Sequence, residues 1–234
     1  MKIGAPSYRP LPLEFYQKQT LELVPDILGK LLVRTFRGKF LAGRIVEIEA
    51  YVGNDPASHA ARGMTERNKV MFEEGGIAYV YFTYGMHFCF NIVTDRKGFP
   101  AAFLVRAVEP VAGIDEMRKN RGVSSKGGRV SNTDLLYGLT NGPAKLCQAM
   151  RIDRKLNGEK LDSGKLFLAD DGFVLYANEI GNSTRIGISV GREAKWRFFL
   201  KGNEFVSKVK DQNSKVRDKV RKKDNVKAPH GKPE

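Results

Sequence analysis

Two glutamates lie two positions apart in an otherwise apolar segment that runs from Arg44 to Tyr51. The alternating pattern predicts a β-strand in which Glu47, Glu49 and Tyr51 share one face, opposite an apolar stripe. Strands disfavour glutamate, so a pair in one short strand requires an explanation. One interpretation is a solvated sheet face with a cation on the neighbouring strand. The other is a carboxylate beside an aromatic platform, which suits the activation of water next to a flat substrate.

A second group of aromatic residues lies in two apolar runs that meet at Gly85, a pattern that predicts a β-hairpin. Tyr79 and Tyr81 share a predicted face, and Tyr84 stands beside the turn. Aromatic side chains in strands usually belong to a core, whereas hairpin tips are exposed. On a basic protein, an exposed aromatic at a tip suits a wedge that enters between DNA bases.

Arg106 lies inside the strand that we predict for residues 100–110, where the neighbouring side chains are apolar. An arginine buried there needs an anionic partner, and Glu47 or Glu49 is the natural candidate. Asn91 interrupts the second apolar run of the hairpin. It is either a core amide satisfied by the backbone or a hydrogen-bonding group in a pocket.

Motifs for metals, cofactors and disulfides are missing from the sequence. With three histidines, two cysteines and no CxxC, we expect no metal site. Neither a glycine-rich nucleotide motif nor GxSxG is present, so we expect no cofactor and no serine nucleophile. Cys89 and Cys147 cannot build a disulfide framework, and we expect both to be buried free thiols in a reducing compartment.

Composition and charge indicate a basic globular protein. The 234 residues are 41% hydrophobic, which is enough for a sizeable core, and the sequence has no run of 18 apolar residues that would predict a membrane span. Forty Lys and Arg against 26 Asp and Glu give a net charge of +14, which makes the domain a candidate for binding polyanions such as nucleic acid. Binding to acidic membranes and simple solubility are the alternatives that such a charge leaves open. We divide the chain into an N-terminal arm (1–12), one domain (13–207) and a basic tail (208–234).

The tail contains ten Lys or Arg, four Asp or Glu and few apolar residues. Such a composition predicts a disordered or frayed helical extension, with DNA tethering as the functional alternative.

The predicted elements give an α+β fold. It is a single mixed domain with a curved, mostly antiparallel sheet, flanking helices and a protruding β-hairpin, because several successive strands lack intervening helices. Besides the hairpin, we predict helices at 21–33, 66–74, 111–119 and 143–150, and strands at 41–52, 100–110 and within 164–200.

Seven segments, taken in order, resemble the alkyladenine (3-methylpurine) DNA glycosylase family, over about residues 13–206. They are GRIVEIEAYVG (43–53), SHAARG (58–63), TERN with MF (65–72), AYVYFTYGMHFCFNI (78–92), FLVRAVEP (103–110), NGPAKLCQAM (141–150) and RIGISVG (185–191).

The resemblance implies roles for residues at the reacting bond. Glu49 is similar to the general base that activates water, and Arg106 to the partner that helps to hold Glu49 and the water. The backbone carbonyl of Ile186 would add a third contact. Tyr51 is similar to one stacking wall of the base pocket, and His59 with Tyr81 to the opposite wall.

The resemblance also implies how the enzyme meets DNA. Asn91 resembles the residue that rejects the 2-amino group of guanine, and Tyr84 the wedge that fills the gap left by a flipped nucleotide. Met86 resembles a side chain beside the neighbours of the lesion. His87 departs from the tyrosine that is usual at its position in the vertebrate branch.

The same resemblance implies a function. The chain would be a monofunctional base-excision-repair glycosylase that flips alkylated or deaminated purines from duplex DNA and leaves an abasic site, acting as a monomer without cofactor. It would be intracellular with access to DNA, in the cytoplasm or nucleoid of a bacterium or the nucleus of a eukaryote. The alternatives are a non-catalytic nucleic-acid-binding module and a different hydrolase.

Overall fold

The architecture is taken from a computed structural model, which describes residues 8–123 and 132–207. The tail predicted at 208–234 and the first seven residues of the predicted arm lie outside the described residues. The domain boundaries therefore stay predictions.

Within this part of the chain, eight strands form one sheet, and every pair in it is antiparallel. The order is β3-β4-β5-β2-β1-β6, and β8 pairs with both β2 and β7. The strands are β1 (Leu31–Phe36), β2 (Lys39–Val52), β3 (Ala78–Thr83), β4 (His87–Val93), β5 (Ala101–Ala112), β6 (Leu166–Ala169), β7 (Ile180–Ser183) and β8 (Arg197–Leu200).

Strand β2 is the centre of the sheet. Its first half pairs with β1, and residues 47–49 pair with β8, while β5 runs along its other edge. Ile45 pairs with Val108 and Glu47 with Ala107, so Val46 is an extra residue in a β-bulge. Bulges bend a strand, and this one bends β2 immediately before its two glutamates.

The prediction of a helix at 21–33 is wrong for the second half of that range. Only Val24–Ile27 forms a helix, α1, with Pro25 in its first turn as expected. Leu31–Val33 instead opens β1, fully buried and paired on both sides, with β2 and β6. A short, continuous apolar run is compatible with a buried strand as well as with a helix, and the long-range pairing decides.

The other helices are short. They are α2 (Ile114–Arg121), α3 (Asn132–Tyr137) and α4 (Pro143–Ala149). The helix predicted from residue 143 is confirmed, while the one predicted at 66–74 is a single 3₁₀ segment, Lys69–Phe72. The predicted α+β class, with its curled antiparallel sheet, is confirmed. No helix in the described residues is long and apolar enough to cross a bilayer.

The hairpin of β3 and β4 ends in a tight turn. Tyr84 and Gly85 have φ angles of 50° and 68°, and the N–H of Met86 donates to the Thr83 carbonyl at 3.3 Å. Two successive residues with positive φ are typical of a type I′ turn, whose twist matches that of the strands. The Tyr84 side chain is 85% exposed, so the tip aromatic does not belong to the core.

Two tyrosines of this hairpin should therefore respond differently to truncation. Tyr79 is 1% exposed, so Tyr79→Ala should lower the free energy of unfolding by about 3–5 kcal/mol. Tyr84→Ala removes an exposed ring without changing the positive φ, so its effect should stay within about 0.5 kcal/mol. Urea denaturation of both variants measures the difference. A large loss of stability in Tyr84→Ala would place its ring in the core.

Candidate active site

A cavity of about 570 Å³ lies beside the hairpin. Seven of the nine residues that the sequence singled out line it: Tyr51, His59, Tyr81, Tyr84, Asn91, Arg106 and Ile186. Glu49 and Met86 are not part of the lining. The residues come from strands β2 to β5, from the 53–77 connection and from the 186–190 loop, so the fold assembles parts that are far apart in sequence.

Glu49 is fully buried directly behind this cavity wall. Its Oε1 accepts the backbone N–H of Ile186 at 2.7 Å and lies 3.1 Å from Nη1 of Arg106. Its Oε2 accepts the Tyr51 hydroxyl at 2.9 Å. All three donors line the cavity. A carboxylate has about four acceptor positions, so Glu49 keeps one on Oε2.

Ile186 contacts Glu49 through its backbone N–H, which donates to Oε1. This bond ties the 186–190 loop to β2 at the carboxylate. The contact of the Ile186 carbonyl with the water, which the resemblance implies, stays a prediction.

Glu47 is also fully buried, but its acceptor positions are filled. Nε of Arg106 donates to its Oε1 at 3.0 Å and Nε of Arg197 at 2.7 Å. Ser207 donates to Oε2 from its backbone N–H at 2.6 Å and from its hydroxyl at 2.5 Å. The solvated-face interpretation of β2 is thus wrong, because its two glutamates share one buried guanidinium, that of Arg106.

Electrostatics keep Arg106 charged and Tyr51 protonated. Burial alone would lower the pKa of Arg106, but Glu49 and Glu47 outweigh it and raise that pKa. Burial, followed by the neighbouring Glu49, raises the pKa of Tyr51, so its hydroxyl stays protonated and donates to the carboxylate.

Aromatic rings form another part of the wall. The His59 ring centroid lies 4.5 Å from that of Tyr81, at an interplanar angle of 72°. Nδ1 of His59 lies 3.0 Å from the Tyr79 hydroxyl, which fixes the imidazole. Burial, with a smaller contribution from the Arg67 charge, lowers the pKa of His59. The imidazole is therefore neutral at pH 7 and presents an uncharged face.

Asn91 is buried and also lines the cavity. Its amide group donates to the Tyr79 carbonyl at 3.0 Å. The backbone thus accepts one hydrogen bond from the amide, and the side chain also borders the pocket, so its role as a hydrogen-bonding group there stays a prediction. At the hairpin tip, Met86 is 70% exposed beside Tyr84, and His87 is exposed as well.

Sequence reasoning missed a second buried ion pair, between Arg185 and Asp55. Arg185 donates to the Asp55 carboxylate with both terminal nitrogens and to the Ala50 carbonyl at 2.9 Å. Its Cζ lies 4.7 Å from the Tyr51 ring centroid. The clamp thus fixes both the Tyr51 ring and the backbone that leads into Ile186. These partners are 130 and 135 residues apart, and no local pattern indicates such a contact.

No group of three His, Cys, Asp or Glu side chains among the described residues could hold a metal ion. Both cysteines are buried free thiols, as expected, and burial raises the pKa of each.

Comparisons with known proteins agree on one family. The sequence profile of the methylpurine-DNA glycosylase family matches residues 14–204. A protein of Carboxydothermus hydrogenoformans is 48% identical over 198 residues, covering 85% of this chain and 98% of the relative. A Clostridium novyi protein is 44% identical over 203 residues (83% and 96%), and one from Francisella tularensis 43% over 192 (81% and 94%). All three carry the provisional name 3-methyladenine DNA glycosylase.

Removing Glu47 should destabilise the fold strongly. Glu47→Ala leaves the Arg106 and Arg197 guanidinium groups buried without this carboxylate, and breaking a buried pair in this way costs about 3–5 kcal/mol. Urea denaturation measures the loss. Glu66→Ala, which removes an exposed carboxylate, should leave the midpoint nearly unchanged. Equal midpoints for both variants would contradict a structural role for Glu47.

His59 should titrate below the ordinary histidine pKa of 6.5, and Arg67→Gln should raise that pKa only part of the way back. The rise is partial because burial, the larger cause, persists. An NMR titration of the imidazole Cε1–H resonances measures both values, and a His59→Gln variant assigns the resonance. An unchanged His59 pKa in Arg67→Gln would show that the charge of Arg67 does not reach the pocket wall.

Proposed function

The chain belongs to the methylpurine-DNA glycosylase family, and we propose that it flips a damaged purine out of duplex DNA and hydrolyses its N-glycosidic bond with water activated by Glu49. The product would be a free base and an abasic site in an intact strand. The observation that carries this proposal is the setting of Glu49, a buried carboxylate held by three donors of the cavity wall and left with one acceptor position.

The reaction needs a carboxylate in this position. As the C1′–N bond of the nucleotide breaks, its electron pair leaves with the base and positive charge develops on the sugar. Glu49 would stabilise that charge and take a proton from the water whose oxygen bonds to C1′. Because Glu49 is fully buried in the free protein, a side chain of the cavity wall would have to shift for water to reach Oε2. Alkylation that makes the base cationic lets it leave without prior protonation.

The cavity supports binding of a flat base. Tyr51, on one side, and His59 with Tyr81, on the other, would stack on the flipped purine, which contributes roughly 1–3 kcal/mol. This offsets much of the few kcal/mol that flipping costs. Asn91 would disfavour the 2-amino group of guanine. The lining includes Pro143, Ile186 and Val190 but no lysine among the described residues, which supports hydrolysis without a Schiff base.

The hairpin tip would hold the DNA open. Tyr84 projects into solvent beside the cavity, where it could fill the space that the flipped nucleotide leaves. Met86, exposed beside it, would contact the neighbouring bases. We expect the protein to act on duplex DNA as a monomer.

Glu49→Gln should abolish the chemistry but not the binding. We expect a loss of at least about 100-fold in the single-turnover release of 3-methyladenine from methylated duplex DNA, because the amide cannot accept the proton of water. Affinity for the same DNA should stay within a few-fold. Chromatography measures the release of the base, and fluorescence anisotropy measures the affinity for DNA. Glu66→Gln is the control.

Two results would contradict the proposal. Substantial release by Glu49→Gln would remove Glu49 from the mechanism. A wild-type protein that binds methylated DNA but releases no base would be a nucleic-acid-binding module.

A further inference from the structure

Arg67 lies at the point where the pocket wall meets the hairpin. It is exposed, in the connection between β2 and β3. Its Cζ lies 5.6 Å from the Tyr81 ring centroid, and its Nη2 donates to the Phe82 carbonyl at 3.4 Å. The guanidinium therefore contacts both a wall of the cavity and the strand that leads to Tyr84.

The charge of Arg67 sets it apart from the other arginines near the site. The arginines deeper in the site, Arg106 and Arg185, each pair with buried carboxylates. Arg67 forms no ion pair within the described ranges, 8–123 and 132–207. Its charge lowers the pKa of His59, so its field reaches the wall. A guanidinium that contacts the cavity wall and has no carboxylate partner among the described residues can bind an anion.

We propose that Arg67 binds a backbone phosphate of the flipped nucleotide. The inference rests on the proposed function. If the base stacks between Tyr51 and Tyr81, and Tyr84 fills the gap in the duplex, the sugar–phosphate linkage must pass between the cavity mouth and the hairpin. Arg67 contacts Tyr81 of the cavity wall and Phe82 of the hairpin, so it lies next to that path. Its planar, forked donors match two phosphate oxygens.

This contact would stabilise the complex with the flipped nucleotide more than the complex with undamaged duplex. The phosphate meets Arg67 only when the base has entered the pocket, so the contact favours lesion binding over binding to undamaged duplex. Most phosphate contacts, by contrast, add to affinity for any sequence. If Arg67 only supports the Tyr81 ring through its cation–π contact, its loss would weaken base stacking without any dependence on a phosphate.

A coupling experiment separates the two roles. The ligand is a duplex with one 3-deaza-3-methyladenine, a base that cannot be released. Three versions are compared: one with natural phosphates only, one with a neutral methylphosphonate on the 5′ side of that nucleotide, and one with a methylphosphonate on its 3′ side. Arg67→Gln should weaken binding of the natural duplex about tenfold. One of the two methylphosphonates should weaken wild-type binding by a similar factor but leave Arg67→Gln unaffected. The salt slope of Arg67→Gln should be shallower by about 0.9.

Arg62→Gln is the matched control, because it removes the same charge from an exposed arginine of the same connection. It should stay as sensitive to the methylphosphonate as the wild type. If both methylphosphonates weaken Arg67→Gln as much as the wild type, the proposal is overturned. Release of 3-methyladenine by the wild type, assayed in parallel, distinguishes that failure from failure of the proposed function.

Discussion

The guanidinium of Arg106 lies between two fully buried carboxylates, 3.0 Å from Glu47 and 3.1 Å from Glu49. Two anions so close together in a protein interior would repel each other and lose hydration worth several kcal/mol each. The cluster is tolerated because Arg106 supplies a shared cation and because all but one of the remaining oxygen positions receive protein donors. Strand β5 carries Arg106 and β2 carries both glutamates, so the pairing of these two strands and the charge cluster depend on each other.

The two glutamates differ in the number of donors that reach them. The hydrogen-bond acceptor positions of Glu47 are filled by Arg106, Arg197 and Ser207. This arrangement suits a structural anion that joins β2 to β8 and to Ser207. Glu49 receives three donors, all from the cavity wall, and retains one position. Two residues of the same type in one strand can thus have different roles because the fold surrounds them differently.

Local patterns in the sequence were enough to predict the hairpin with its exposed Tyr84, and a carboxylate partner for the buried Arg106. These features depend on residues close in sequence or on the general cost of burying a charge. The strand at Leu31 was missed because a short apolar run fits either element until its partners are known. The contacts of Arg197 and Ser207 with Glu47 were missed because 150 and 160 residues separate them, and only the folded sheet brings them together.

We propose that the buried charge cluster presents Glu49 to the C1′ atom of a purine nucleotide held in the cavity. A crystal structure of the protein with a duplex containing 3-deaza-3-methyladenine tests this most directly. We expect the base between Tyr51 and the His59–Tyr81 wall, Tyr84 within the duplex, and one water between C1′ and Oε2 of Glu49. A base bound in the cavity with its C1′ turned away from Glu49, or still stacked in the duplex, would contradict it.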